Sequence, residues 1–439
     1  MNWLAKYASS WELSAVNDEI SVNGVRVPLD FPRVPAGWDW KSLNVLCEGI
    51  YDCPHSTPDL TDDGPYLART QDFPDGALSL NGMAQVSRTT YLDRVRRAIP
   101  AHGDLLYSRE GSYHGIAAEI PEDVEICMGQ RMVLIRPDQD LLNFRFLKYW
   151  LNSRFVRDFI SGMREGSGAP RINLPTVRGM AVPVPAVREQ EAISSILGAL
   201  DDKIAVNERI ATVARSLAVS IGKRQISQIR GESASLGAYV SLVKGNSYKS
   251  ADVGHGAQWL VSLKSIGRDG SYRPSGLKRF AGDFKPQQRL GSGEVVVAHT
   301  DLTQKAEVLA RPVRVPEVGP EVHVASLDLA IVRPSRLLTN EYLLALLSRE
   351  DFRNHALGFS NGTTVLHLSV KAVPSYEFVP PGEDLVDRVT AKMRPLLKRA
   401  DASEKESETL SVLRDTLLPQ LMSGRLRVKD AEKIVEDHV

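Results

Sequence analysis

Apolar residues in the middle of the chain recur at alternating steps of four and three. Between residues 183 and 229 they run Ile193, Leu197, Leu200, Ile204, then Asn207, Ala211, Ala214, Ala218 and Ile221. This is the seam of a coiled coil. Ile196, Ile210 and Leu217 fall beside the seam and widen it, which predicts a helix buried along most of its length. From Arg188 to Ile229 there are 42 residues, roughly 60 Å of helix. The same rhythm returns between Leu385 and Met422 as Val389, Met393, Leu396, Ala400, Ser403, Ser407, Leu410, Leu417 and Leu421, with Leu413 close by. Pro395 is expected to kink or interrupt this second rod, because an interior proline removes a hydrogen bond and clashes with the preceding turn. Both seams carry small or polar residues, which allow close approach and set register. The two helices are therefore expected to pair, antiparallel if the intervening chain folds back on itself.

The remaining chain divides around these rods. Residues 1–35 read as an N-terminal extension. Within it Ile20, Val22, Val25 and Val27 alternate around Asn23-Gly24, the favoured pair for a two-residue hairpin. Residues 36–185 form a first globule with expected strands at 104–107 and 131–135. An aromatic helix over 143–163 follows, with Phe146, Tyr149, Trp150, Phe155 and Phe159 on its buried side, and leads to a flexible Gly166-Ser167-Gly168 run. The central helix takes 186–232, a second globule 233–382, a distal helix 383–428 and a tail 429–439. Gly103-Asp104-Leu105-Leu106 matches Gly293-Glu294-Val295-Val296, and the aromatic helix matches Tyr342 to Phe352. GSGAPRINL matches SNGTTVLHL, and Val184-Pro185 matches Val379-Pro380. Globule, rod, globule, rod is a tandem duplication. The expected fold is α+β, with two pseudo-symmetric α/β globules separated by two long helices that pair as an antiparallel coiled coil.

Composition adds boundaries. The 439 residues suffice for two or three domains, and 54 basic against 54 acidic residues give no net charge that would point to a polyanionic partner. Cys47, Cys53 and Cys127 are too few for a disulfide framework and fit a reducing compartment. With no apolar run of membrane-spanning length and no signal-like N-terminus, a cytoplasmic location without membrane attachment is expected.

Chemistry is sparse. The chain has no glycine-rich phosphate or dinucleotide loop, no HExxH and no Asn-Pro-Pro-aromatic run. Cys47, Cys53 and His55 have poor spacing for zinc, and His55, His114 and His299 read as loop residues that hydrogen-bond rather than as general bases. The chain reads as a non-catalytic binder that holds no cofactor. Local charge suggests what it binds. Between Val240 and Leu290 nine basic residues face three acidic ones, mixed with Asn246, Ser247 and Tyr248, a combination suited to phosphate positioning and base reading. In the first globule Arg88, Arg94, Arg96 and Arg97 cluster, and residues 108–114 form a polar loop after a strand.

Several runs carry a family resemblance. VPVPAVREQEAISSILGALDDKIAVNERI contains Glu189-Gln190, Ile196-Leu197, Leu200-Asp201, Lys203-Ile204 and Asn207, and it resembles the central conserved region of specificity subunits of Type I restriction-modification systems. LSVLRDTLLPQLMSGRLRV, residues 410–428, is similar to the distal conserved region. Pro35-Ala36-Gly37-Trp38, GDLLYSREG and GSGAPRIN resemble elements of the recognition domains. The second exit, Val379-Pro380-Pro381-Gly382-Glu383, departs from the pattern by lacking the Glu-Gln pair. The resemblance implies that each globule reads one half of a bipartite site on double-stranded DNA and that the rods set their separation. It also implies two methyltransferase and two restriction subunits as partners, which would hold S-adenosylmethionine, ATP and Mg. Loop position and side-chain chemistry then nominate DNA-contacting residues. In the first globule they are His55, Ser56, Thr57, Arg69, Arg96, Arg97, Ser108, Arg109, Glu110, Tyr113, His114 and Arg171. In the second they are Lys244, Asn246, Ser247, Tyr248, Lys249, Lys264, Arg268, Lys278, Arg279, Thr300, Asp301, Asn361 and Thr363. An alternative is a scaffold of the same architecture whose globules bind a protein or another ligand.

Overall fold

Two four-stranded antiparallel sheets, one on either side of the central helix in sequence, carry the globular parts of the chain. The computed structural model describes residues 19–22, 24–162, 171–317, 319, 321–335, 337–362 and 364–437. The chain divides into one unit of residues 1–203 with 409–439 and a second of residues 204–408.

In the first unit β1 (Glu19–Val22) and β2 (Val25–Pro28) form the hairpin expected from Asn23-Gly24, and β3 (Asp39–Ser42) follows. Then come β4 (Cys47–Asp52), β5 (Thr61–Ala68), α1 (Arg88–Arg94), β6 (Leu105–Ser108), β7 (Ala117–Glu119), β8 (Ile126–Met128) and β9 (Met132–Pro137). The helices α2 (Phe144–Asn152), α3 (Arg154–Gly162) and α4 (Leu174–Gly179) precede β10 (Ala181–Val184) and the long α5 (Val187–Ile226). The main sheet has the order β4-β9-β6-β7, with Ile50 opposite Ile135 and Leu106 opposite both Leu134 and Ala118. A parallel pair, β5 with β8, and an antiparallel pair, β3 with β10, complete it. Every residue of β6 is buried, as an apolar strand covered on both faces must be.

The second unit repeats the plan. Its elements are β11 (Ala234–Ser235), β12 (Val240–Lys244), β13 (Val253–Val261), β14 (Lys278–Phe280), β15 (Arg289–Leu290), β16 (Val295–Ala298), β17 (Thr300–Asp301) and β18 (Pro312–Arg314). They continue with β19 (His323–Ala325), β20 (Leu329–Pro334), α6 (Asn340–Leu347), α7 (Glu350–Leu357), β21 (Ser360–Asn361), β22 (Leu366–Leu368), β23 (Glu377–Phe378), α8 (Glu383–Met422) and α9 (Val428–Glu436), the last belonging to the first unit. The sheet order β12-β20-β16-β18 matches β4-β9-β6-β7 strand for strand. The parallel pair of β13 with β19 and the antiparallel pair of β11 with β23 also recur. The duplication seen in sequence is therefore a duplication of topology.

Each unit holds its own portion of the helix pair. In the first, Leu197, Leu200, Leu417 and Leu421 are buried, and Arg414 Nη1 donates to Asp201 Oδ1 at 2.8 Å. In the second, Ser407 Oγ donates to the Ile204 carbonyl at 3.4 Å, Arg215 pairs with Glu404, and Ala211, Ala214 and Ala400 pack together. Later residues of α5 meet earlier residues of α8, so the pairing is antiparallel. At Gly222 a Cβ would come within 2.5 Å of both Ala345 Cβ and Met393 Sδ, so glycine permits this close approach.

The start of α5 is anchored by the Glu189-Gln190 pair and the residues around it. Gln190 is buried; its Oε1 accepts from Asn143 N at 2.8 Å, and its Nε2 donates to the carbonyls of Leu141 and Pro185. Trp38 Nε1 donates to Glu189 Oε2 at 3.2 Å. Ser194 Oγ donates to Oδ1 of Asn143, the N-cap of α2. The second unit lacks the Glu-Gln pair, yet α8 begins cleanly at Glu383. There Thr390 meets Thr339, the N-cap of α6, at 2.7 Å, and Val386 is buried.

Four expectations change. The aromatic helix is two helices, broken at Ser153, whose extended backbone (φ −65, ψ 153) caps α2 and starts α3. Phe155 and Phe159 are only half-buried while Val156 and Ile160 fill the core, and the Gly166-Ser167-Gly168 run lies outside the described residues. α8 passes Pro395 without interruption: Pro395 and Ala391, whose carbonyl loses its donor, are both exposed, so water can satisfy that carbonyl. Leu397 rather than Leu396 is fully buried. Leu217 does not widen the seam; it is 47% exposed, Ile210 is half-buried, and together with exposed Val206 and Val213 they form a separate apolar stripe on α5.

Leu417 is 1% exposed and Val412, one and a half turns earlier on α8, is 54% exposed. Leu417→Ala should therefore destabilise the protein by about 2–5 kcal/mol, whereas Val412→Ala should change stability by no more than about 0.5 kcal/mol. Urea denaturation of both variants checks this, and equal effects would show that the seam is not buried at Leu417.

Candidate nucleic-acid interface

In the first unit the polar loop grows from the end of β6, the central strand. Arg109 follows it directly and is only 3% exposed. Its amide donates to the Arg131 carbonyl at 2.8 Å, its carbonyl accepts from Ile172 N, and Nη2 lies 3.1 Å from Asp52 Oδ1. Asp52 ends β4, on the far side of β9, and is a hub. His55 Nε2 lies 3.4 Å from its other oxygen, and Arg97 Nη1 donates to its carbonyl at 3.5 Å. Glu110 pairs with Arg171 at 3.1 Å across a β-bridge. Ser108 Oγ donates to the Tyr113 carbonyl, Gly111 turns the chain at φ 89, and Tyr113 is left exposed at the tip. His114 returns to the Gly111 carbonyl at 3.0 Å.

The structure thus gathers His55, Arg97, Ser108, Arg109, Glu110, Tyr113, His114 and Arg171 at one end of the sheet. Ser56 joins them through buried Arg94, which donates to the Ser56 carbonyl at 3.1 Å and to the Met128 carbonyl at 2.9 Å. Thr57 is exposed on the same loop. Arg69 and Arg96 form no ion pair with that group among the described residues; they are forked onto Asp72 and paired with Asp93 at 2.9 Å. Sequence reasoning missed Asp52 and Arg131. Arg131 is exposed, stands at φ 70, and its Nη1 faces Gly111.

The second unit builds on the same strand ends. Lys244 closes β12 and is exposed; Gly245 follows, where a Cβ would sit 1.9 Å from the Ser326 carbonyl oxygen. Asn246 is buried, its amide donating to Ala325 O at 2.7 Å and its Nδ2 to Asp283 O at 2.9 Å. Ser247 and Lys249 are exposed, and Tyr248 packs edge-on against Phe280 with centroids 6.3 Å apart. Thr300 and Asp301, on β17, are buried. Asp301 accepts from Thr303 N and Oγ1, Val308 N and Leu309 N. Burial pushes this carboxyl up, but the donated bonds outweigh it and hold it below the usual range. Asp301 therefore pins the 302–309 loop. Asn361 reaches the same place because β21 and β17 both pair with β22 at His367. Thr363 lies outside the described residues.

Two further groups flank this centre. Lys264, Arg268 and Arg273 line a depression of about 400 Å³, although Arg268 is paired with Glu307 at 3.0 Å. On β14 Lys278 is exposed, while Arg279 lies 3.8 Å over the Trp259 ring and 3.4 Å from Glu321. Arg273 had been visible only as part of the basic segment.

His299 occupies the place after β16 that Arg109 occupies after β6, and Lys244 ends β12 where Asp52 ends β4. The carboxylate and guanidinium of one copy are replaced by an ammonium and an imidazole in the other. His299 is 8% exposed, its Nε2 is buried without a partner, and its pKa is pushed down to about 4 by burial and then by the Lys244 charge. The ring is neutral at physiological pH. Unfolded, it takes up a proton near its ordinary value of 6.5, so stability falls as pH drops through that value and continues to fall to about 4. The loss is on the order of 3 kcal/mol. Expressed as a difference from a His299→Gln variant, urea stabilities at pH 7 and pH 4.5 should show the wild type losing more on acidification. Identical pH dependence of the two proteins would contradict a buried neutral imidazole.

Comparison with known proteins places this architecture. Residues 64–214 match the Type I restriction modification DNA specificity domain. The Type I restriction enzyme MjaIX specificity subunit of Methanocaldococcus jannaschii is 20% identical over 308 residues, covering 65% of this chain and 69% of that protein. The crystal structure of a Type I restriction-modification system S subunit from M. genitalium superposes with a TM-score of 0.53 at 14% identity, covering 89% of this chain and 98% of that one, which shows a common fold. Over residues 64–214 the chain is therefore similar to the Type I restriction modification DNA specificity domain, and as a whole it shares the fold of a Type I specificity subunit.

Proposed function

We propose that this chain is the DNA-reading subunit of a Type I restriction-modification complex and that each unit recognises one half of a bipartite duplex target. One observation carries the reading: the same sheet is built twice, and each copy gathers its polar loops at the same strand ends, around Asp52 and Arg109 in one and around Lys244 and His299 in the other. Exposed Lys264, Lys278 and Arg131 suit phosphate contacts, which position the protein without reading sequence. Tyr113, His114, Ser247, Lys249 and Asn361 stand at loop tips where base edges can be read. Arg109, Asn246, Thr300 and Asp301 are buried and bonded, so their part is to hold those loops in shape. Each unit has its own reader, so paired changes should separate. Replacing Tyr113 and His114 by Ala should alter one half of the methylated target, and replacing Ser247 and Lys249 should alter the other. Mapping of methylated adenines in cells carrying each variant with its methyltransferase partner checks this. A change in both halves from either variant would sink the two-reader assignment.

The methyl transfer, ATP-driven and cleavage steps belong, on this reading, to two methyltransferase and two restriction subunits, which hold S-adenosylmethionine, ATP and Mg. The chain itself is non-catalytic. The apolar stripe of Val206, Ile210, Val213 and Leu217 has the four-three spacing of a second seam, and it suits a helix of the methyltransferase subunit. Val213→Asp with Leu217→Asp should leave the melting temperature within a few degrees, since both side chains are exposed, yet abolish co-purification with that subunit. Retained assembly would move the docking surface elsewhere.

A further inference from the structure

The second unit contains a cavity of about 420 Å³ that DNA recognition does not account for. Its walls come from α5, the 269–272 loop, the segment from Ala310 to Pro316, the junction of α6 and α7, and α8. Helical spacing puts it on a third face of α5. Residues Thr212, Arg215, Ser216, Val219 and Lys223 line it, while the seam runs through Ala211, Ala214 and Ala218 and the exposed stripe through Val206, Val213 and Leu217.

Its chemistry is one-sided. Six basic residues line the cavity, Arg215, Lys223, Arg311, Arg314, Arg349 and Arg353, against the three carboxylates of Asp269, Glu350 and Asp401. Two of those carboxylates are already engaged: Asp401 takes both oxygens to Arg314 Nη1 at 2.8 Å, and Asp269 accepts from Ser271. Arg215 and Arg349 have Glu404 and Asp351 as partners. Lys223, Arg311 and Arg353 form no ion pair among the described residues. Arg311 Nε donates to the Glu307 carbonyl at 2.7 Å and Arg353 Nη2 to the Ala306 carbonyl at 2.7 Å. Two donors on these walls are buried without any acceptor, Arg353 Nε and the hydroxyl of Tyr272, a residue only 6% exposed. Buried donors left unpaired are costly. Beside them Val219, Leu344, Leu347 and Leu397 give an apolar wall.

The duplicated fold supplies an internal control. At the end of β7, Glu119 stands where β18 has Arg314, and Ser153 precedes α3 where Arg349 precedes α7. Ile193 and Val389, and Ile204 and Ala400, are each 196 residues apart, and the same offset puts Pro419 opposite Lys223. Only Arg157 keeps a cation, opposite Arg353. The topology forms without this cationic set, so the set answers to something other than folding.

We propose that this cavity binds a phosphorylated small molecule of mononucleotide size, its phosphate meeting Lys223 and the guanidinium of Arg353 and its body lying on the apolar wall. The volume is in the range of small-ligand pockets, about 300–1,000 Å³. AMP titrated into the full-length chain by calorimetry, with adenosine as the phosphate-free control, tests it. One AMP should bind saturably and adenosine should not. Either Lys223→Gln or Arg353→Gln should weaken AMP binding about tenfold, the worth of one charge-assisted hydrogen bond. Lys223 bonds to no described side chain, so its variant should fold as the wild type does, and a thermal melt verifies that. Absence of saturable AMP binding, equal binding of adenosine, or undiminished AMP binding by both variants overturns the proposal. Were Lys223→Gln instead to lower the salt dependence of duplex binding while AMP failed to bind, the cavity would be a DNA-phosphate contact and the small-molecule assignment would be wrong.

Discussion

The antiparallel apposition of α5 and α8 is the constraint on which both units depend. Each unit is completed by pieces of chain distant in sequence: residues 409–439 return to the first unit, and α8 up to residue 408 belongs to the second. Leucine at Leu197, Leu200, Leu417 and Leu421 fills the seam in the first unit, whereas alanine at Ala211, Ala214 and Ala400 lets the helices come close in the second. Polar groups then limit sliding. Asp201 is bound at once by Tyr149 at 2.6 Å and Arg414 at 2.8 Å, and a slip of one residue would break both bonds in a half-buried place. Asn207 Nδ2 and Ser403 Oγ are buried without partners in the same seam, a cost in stability that a purely apolar seam would not carry.

Much of this architecture was legible because it is periodic. The rods announced themselves through repeated four-three spacing, and the hairpin through Asn-Gly between alternating valines. The order of parts followed from short runs that recur about 190 to 196 residues apart. What periodicity could not say was which partner each apolar face meets. Leu217 and Leu413 look alike in sequence, yet Leu413 is buried and Leu217 is not, because a helix pattern records hydrophobicity and not the location of the covering surface. The break at Ser153 was hidden for a related reason: the aromatic residues on both sides still share a core, so the pattern runs on through a residue with extended backbone.

The candidate interface was legible only as neighbourhoods. Arg109 and Asn246 read as contact residues because they are polar and sit in loops, and both turn out to be bonded inward, to Asp52 and to the Asp283 carbonyl. Their pairing partners lie tens of residues away, where no local spacing points to them. Asp301 had a local sign, since Asp-x-Thr favours a side chain that closes its own turn. Arg131 had none. Its exposure follows from a left-handed backbone conformation between β8 and β9, which a non-glycine residue seldom adopts and which sequence does not mark.

Duplication explains why these inward bonds differ between the units while the sheet does not. The inner strands of both copies, β6 and β9 in one and β16 and β20 in the other, are buried over most of their length, and change there meets a packed core. The strand ends are not so bound. The Asp52 and Arg109 positions meet across β9, which separates β4 from β6, so they can be exchanged as a set provided that the new pair neither leaves a buried charge unpaired nor loses its backbone bonds. Lys244 and His299 meet that condition in another way: the lysine reaches solvent, and the imidazole gives up its proton. The amide of His299 still bonds to Asp328 O at 2.8 Å and its carbonyl still accepts from Leu368 N at 2.7 Å, as the backbone of Arg109 bonds to Arg131 and Ile172. The loop above each strand end is thus carried by backbone bonds common to both copies, and its side chains are free to diverge, which is the property a pair of recognition surfaces needs if each is to read a different sequence.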